Sequence, residues 1–173
     1  MGDFHCYNVD MDTLFSIFFS FLSSFFFPGA EETSYLPSMI ATTTAEVVEV
    51  VDGDTIRVLI DTQVQSIRYI GIDTPEPYRD ELPACFSTEA SQRNAELVEG
   101  RSVELVIDTE NTDRYDRLLR YVYVDGVLVN QVLLEEGYAK VLPINPNTKF
   151  KERFKKAETQ AKEAELGLWK ACS

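Results

Sequence analysis

Apolar residues recur along this chain in short runs, each cut off by a turn-forming polar pair. Ala45 to Val51 alternates imperfectly, with valines at 47, 48, 50 and 51, and predicts a strand. Asp52-Gly53-Asp54 interrupts it. Thr55 to Ile60 is a β-branched run closed by Asp61-Thr62, and Val64 to Ile72 is a third strand candidate. Ser102 to Ile107 and Leu118 to Val124 supply a fourth and a fifth, separated by the polar loop Asp108 to Arg117. Asp125-Gly126 then predicts a hairpin turn into Val127 to Val129.

Helical spacing appears elsewhere. Ser87 or Thr88 can cap a helix to Val98, with Ala90, Ala95, Leu97 and Val98 on its apolar side and Gly100 beyond its end. Asn130 opens a short helix over Gln131 to Glu136, stopped by Gly137. A longer one is predicted from about Asn147 to Leu166, carrying Phe150, Phe154, Ala157, Ala161 and Ala164. Gly167 ends it, and Leu168-Trp169 folds back onto the core. Short strands in a meander, with interposed and terminal helices, predict a five-stranded Greek-key β-barrel with packed helices.

Charge divides the chain. All 16 Lys and Arg lie from Arg57 onward, and the first forty-two residues hold Asp3, Asp10, Asp12, Glu31 and Glu32. Five of the 29 acids are there, so 24 acids face 16 bases in the remainder, a formal charge of −8. Leu14 to Phe27 is an uncharged apolar run, too short for a comfortable bilayer span, followed by Pro28-Gly29-Ala30. That order fits an export signal or membrane anchor, although the acids before it stand where positive charge is usual. The expected organisation is a signal or anchor over residues 1–30, a flexible tether over 31–44 and a globular domain over 45–173. Residues 12–30 would engage a membrane or the export machinery. The domain is then expected outside the cell, secreted or anchored to the outer face of the membrane.

Loss of a leader would remove Cys6 and leave Cys85 and Cys172, an even pair that either forms one disulfide or stays as two thiols. The single histidine, His5, excludes a His-based zinc site or a His-centred triad in the domain. An acidic domain does not wrap a duplex by phosphate neutralisation, so weak ground-state binding with strong salt dependence is expected. A positive pocket can still attract one phosphate, more so with a bound cation.

Candidate chemistry falls at the strand ends. Asp54 begins one strand and Asp73 leaves another, so neighbouring strands would bring both carboxylates to one hard cation. Thr74 can add its main-chain carbonyl. Glu76 sits three residues on, in a proline-stiffened loop, as a candidate general base. Arg68 precedes that loop and Arg117 ends the later one, and guanidiniums suit the charge of a phosphoryl transition state. Each group has a plainer reading as a solvated acid or a structural ion pair. Together they indicate metal-assisted phosphodiester hydrolysis.

These segments closely resemble the thermonuclease, or staphylococcal nuclease, family. The resemblance rests on Val51-Asp52-Gly53-Asp54-Thr55, on Ile67 to Glu76 and on Thr112 to Arg117. Asp125-Gly126, Val129-Asn130, Gly137 to Val141 and Leu168-Trp169 follow in the same order. It implies a five-stranded oligonucleotide-binding (OB) fold, and calcium-dependent cleavage of DNA and RNA to 3′-phosphate and 5′-hydroxyl ends. Magnesium or manganese would also suit the oxygen ligands. By the same resemblance Asp54, Asp73 and Thr74 hold the ion, and Glu76 activates water. Arg68 and Arg117 bind and stabilise the phosphate, and Tyr115 contacts the substrate, a single-stranded or locally open nucleic acid. The chain is expected to act as a monomer. Asp116 stands where the family commonly has Gly, and Pro143 and Asn145 stand where it has nucleotide-contacting tyrosines. The competing expectation is an OB module that binds single strands without cutting them.

Overall fold

The structure is a computed structural model that describes residues 42–77 and 82–172. The expected leader and most of the tether lie outside the described residues. Among the described residues, no helix is long and apolar enough to cross a membrane.

Three antiparallel strands form the meander: β1 (Thr42–Val50), β2 (Thr55–Ile60) and β3 (Gln63–Tyr69). On its other edge β1 pairs with β5 (Ser102–Val106), which pairs with β6 (Leu118–Val124). A parallel contact between β3 and β6, with Ile67 opposite Leu118 and Tyr69 opposite Arg120, closes the sheet. The result is a five-stranded mixed barrel, the OB architecture. β4 (Ile72–Asp73) follows β3, and β7 (Val127–Leu128) extends β6 through the Asp125-Gly126 turn.

β1 starts at Thr42, because Thr42 to Thr44 already pair with Val106 to Glu104. Its imperfect alternation has a physical cause. Val47 faces Val58 and Glu49 faces Arg57, leaving Val48 as the extra residue of a bulge. Val47 is buried and Val48 exposed. β2 alternates cleanly, with Ile56 and Val58 buried among Ile67, Tyr69, Leu105 and Leu119. Each such side chain contributes roughly 1.5–3 kcal/mol on full burial.

The third strand ends at Tyr69, three residues before the expected limit. Gly71 takes φ +81°, and a Cβ there would lie 2.8 Å from the Phe154 ring. The chain then resumes as β4, paired with β8 (Lys140–Val141) outside the barrel. This break sets the direction in which Asp73 to Glu76 leave the sheet.

Among the described residues four helices pack on the barrel: α1 (Ser87–Val98), α2 (Val129–Glu135), α3 (Lys151–Glu163) and α4 (Leu168–Ala171). The third starts at Lys151 rather than Asn147, because the Asn147 side chain is used elsewhere. Its Oδ1 accepts the N–H groups of Thr109 and Glu110, and its Nδ2 donates to the Glu110 carbonyl. Phe150 and Phe154 dock α3 edge-on against Tyr121. A disulfide joins Cys85, just before α1, to Cys172, just after α4.

Candidate active site

The site begins at the turn between β1 and β2. Asp52 Oδ1 accepts the Asp54 N–H at 2.9 Å, an Asx-type bond that shapes the turn. Gly53 is required by close approach, since a Cβ there would meet the Thr74 side chain at 2.7 Å. Asp54 is therefore carried against Thr74 and buried, with 3% of its surface exposed. Its Oδ2 accepts the N–H and the hydroxyl of Thr74, at 2.8 and 3.1 Å. Its Oδ1 accepts the Thr55 hydroxyl.

Arg68 connects this carboxylate to the next. Its Nε lies 3.1 Å from Asp54 Oδ1 and its Nη2 donates to Asp73 Oδ1 at 3.1 Å. Its Nη1 donates to the carbonyls of Tyr69 and Ile72, both at 2.8 Å. The guanidinium is buried, whereas the Asp73 side chain is half exposed. Asp54 and Asp73, nineteen residues apart, thus meet on one cation.

Arg117 is placed by its own loop. Asp113 Oδ1 accepts the N–H groups of Tyr115 and Arg117, and Oδ2 accepts Arg117 Nε at 2.7 Å. Burial pushes the Asp113 carboxyl up, but the bonds from Arg117 and the two backbone N–H groups outweigh it and hold it below its ordinary value. Tyr115 is exposed, with the Arg114 and Arg117 guanidiniums 4.7 and 5.5 Å from its ring centre.

Two cavities contain these groups. One of about 320 Å³ is lined by Asp73, Thr74 and the exposed Glu76, with Lys140 beside them. The other, about 370 Å³, is lined by Arg68, Asp113, Arg114, Tyr115 and Arg117. The Arg68–Asp73 ion pair links the two. Leu142 and Ile144 also line the second cavity, on either side of Pro143.

Two supporting roles were not read from the sequence. Asn94 of α1, fully buried, accepts the Tyr69 hydroxyl and donates to the Asp52 carbonyl, pinning the turn between β1 and β2 to a helix. Asp113 cradles Arg117. An Asp two residues before the aromatic and four before the arginine is a readable Asx signal, but nothing in the sequence pairs Asn94 with Asp52.

Burial lifts the Asp54 carboxyl to about 6 although Arg68 pulls it down, and Asp52 and Asp73 push it the same way as burial. Two carboxylates and nearby main-chain oxygens make an all-oxygen donor set, which fits a hard divalent ion. Among the described residues, no group of three or more His, Cys, Asp and Glu side chains gathers as a metal site. A third protein oxygen would come from the backbone.

The five-stranded mixed barrel with its packed helices defines an OB-fold protein of staphylococcal-nuclease-like architecture. The chain belongs to the staphylococcal nuclease homologue family, whose model matches residues 66–171. It is 44% identical over 122 residues to the SPbeta prophage-derived endonuclease YokF of Bacillus subtilis (strain 168), covering 69% of this chain and 41% of that protein. Endonuclease YncB of the same strain is 40% identical over 122 residues, covering 69% and 58%. The thermonuclease of Staphylococcus hyicus is 36% identical over 127 residues, covering 73% and 75%. The chain therefore spans about two-fifths and three-fifths of the two Bacillus proteins.

Proposed function

We propose that this protein is a metal-dependent endonuclease that hydrolyses phosphodiester bonds of DNA and RNA. The observation that carries the reading is the convergence of Asp54 and Asp73 on Arg68, with Glu76 lining the same cavity as Asp73. Asp54, Asp73 and the Thr74 carbonyl would hold the divalent ion, calcium by the family resemblance, with magnesium or manganese also suited to oxygen ligands. When bound, the ion supplies Lewis-acid polarisation of the phosphoryl group and offsets the carboxylate charge.

Glu76 accepts a proton from the attacking water. The water oxygen bonds to phosphorus as the P–O5′ bond breaks, and the departing oxygen gains a proton from solvent water. The products are a 3′-phosphate and a 5′-hydroxyl. Arg68 donates to the equatorial oxygens, and Arg117, its Nε fixed by Asp113, donates near the leaving oxygen. Tyr115 offers an exposed ring to an unstacked base, which favours a single-stranded or locally open substrate. Residues 12–30 serve for export or for anchoring at the outer face of the membrane. Cell fractionation with a mass measurement of the mature amino terminus checks this, and sedimentation checks the monomer.

The decisive experiment is cleavage of single-stranded DNA and RNA by the full chain with calcium, magnesium or manganese. Glu76→Gln should lower kcat by about 10²–10⁴-fold, the contribution of a positioned general base, with the melting temperature unchanged. A full-rate Glu76→Gln enzyme rejects the base. Strand binding without cleavage under any of the three ions leaves the non-catalytic module instead.

A further inference from the structure

Glu76 is exposed, so the aim of its carboxylate depends on the backbone that carries it. Three contacts hold the end of the loop beyond it. The Ala84 N–H donates to the Glu76 carbonyl at 3.1 Å, Cys85 is bonded to Cys172, and Phe86 stacks on Tyr138 at 5.4 Å. Phe86 sits at φ +68°, a conformation that a bulky side chain adopts only under constraint.

The far end of the disulfide is equally well held. The Leu168 N–H donates to the Gly137 carbonyl at 2.8 Å, the Leu168 side chain is buried, and the Cys172 N–H donates to the Leu168 carbonyl. The bond thus ties the Glu76 loop to a docked helix rather than to a loose terminus. Both cysteines line the cavity that Glu76, Asp73 and Thr74 line, and both are open to solvent.

We propose that the Cys85–Cys172 disulfide positions the Glu76 carboxylate, so that full hydrolytic rate requires the oxidised bond. The inference rests on the nuclease reading and adds to it a dependence on redox state. A dithiol reductant opens the bond in two steps. Its thiolate attacks one sulfur and displaces the other cysteine as a thiolate, and its second thiol then releases the first. Two electrons pass from the dithiol, which becomes a cyclic disulfide, and the two cysteines leave as protonated thiols.

The test uses the full chain in oxidised and dithiothreitol-reduced form, together with the Cys85→Ser/Cys172→Ser variant. Steady-state cleavage of single-stranded DNA with calcium is measured below the melting temperatures of all forms. Opening the bond should lower kcat about tenfold and change KM less than twofold, and reoxidation should restore the wild type alone. In the Glu76→Gln background, opening the bond should leave the residual rate unchanged, which a general loosening of the fold would not do. Equal kcat in the oxidised and reduced enzymes overturns the proposal, as does an equal drop in the Glu76→Gln background. An oxidised wild type that cleaves no strand with calcium, magnesium or manganese overturns the nuclease reading and this inference with it. Should the serine variant fail to fold, the reduced wild type at lower temperature gives the same comparison.

Discussion

The arginine loop shows how one residue's backbone can matter as much as its side chain. Asp113 spends both carboxylate oxygens on the loop, holding two N–H groups and the Arg117 guanidinium. Asp116 completes the turn at φ +61°, its N–H donating to the Asp113 carbonyl at 3.1 Å. The resemblance that placed glycine here now has a physical reason, because only glycine adopts that φ freely. Asp116→Gly removes a left-handed penalty of about 1–2 kcal/mol, less for Asp than for most residues, and adds unfolded-state entropy of about 0.5–1 kcal/mol. A small net stabilisation of about 0.5 kcal/mol is expected in urea melts. The same change removes a negative charge next to Arg117 in sequence, so KM for single-stranded DNA should fall. A variant with raised KM would show that the Asp116 carboxylate assists binding. The polar loop Asp108 to Arg117 was legible in the sequence; the φ value of Asp116 was not, since it follows from how the loop closes.

At the scale of elements, local patterns carried far and pairings did not. The Thr55–Ile60 strand and the Ser87–Val98 helix stand where alternation and helical spacing put them. The bulge at Val48, the break at Gly71 and the β4–β8 pair were hidden, because each depends on what a distant segment does. Parallel closure of β3 on β6 was likewise invisible to periodicity. The candidate site shares this limit: Asp54 and Asp73 were recognisable as acids at strand ends, while the brace that Asn94 of α1 gives the Asp52–Asp54 turn was not. Asn94→Ala isolates that brace. It strips the Tyr69 hydroxyl and the Asp52 carbonyl of their partner in a buried place, at roughly 2–3 kcal/mol in all. Beyond the lower melting temperature, the rise in melting temperature on adding calcium should shrink, because the Asp52–Asp54 turn loses its register. An undiminished calcium shift in a destabilised variant would show that α1 supports the fold but not the ion.

For the whole molecule the question is how a chain of net charge −13 handles a polyanion. The answer lies in distribution. Arg68, Arg114 and Arg117 all line one cavity, together with Glu110 and Asp113, while most of the carboxylates among the described residues lie outside it. Repulsion between protein and strand acts over long range and is screened with a Debye length of about 10 Å at 0.1 M salt. Contacts inside the cavity are short and release counterions, at a slope of about −0.7 per phosphate on a single strand. With about three phosphates engaged, the local slope is near −2, and screening of the global repulsion offsets part of it. Between 50 and 150 mM salt, KM should therefore rise about three- to tenfold with kcat nearly constant. Arg114→Ala, which leaves Arg68 and Arg117 in place, should flatten the slope by about 0.7. A slope near −4 would instead mean that the lysine-rich start of α3, at Lys151, Lys155 and Lys156, also grips the strand. A slope of zero would remove the phosphate from this cavity altogether.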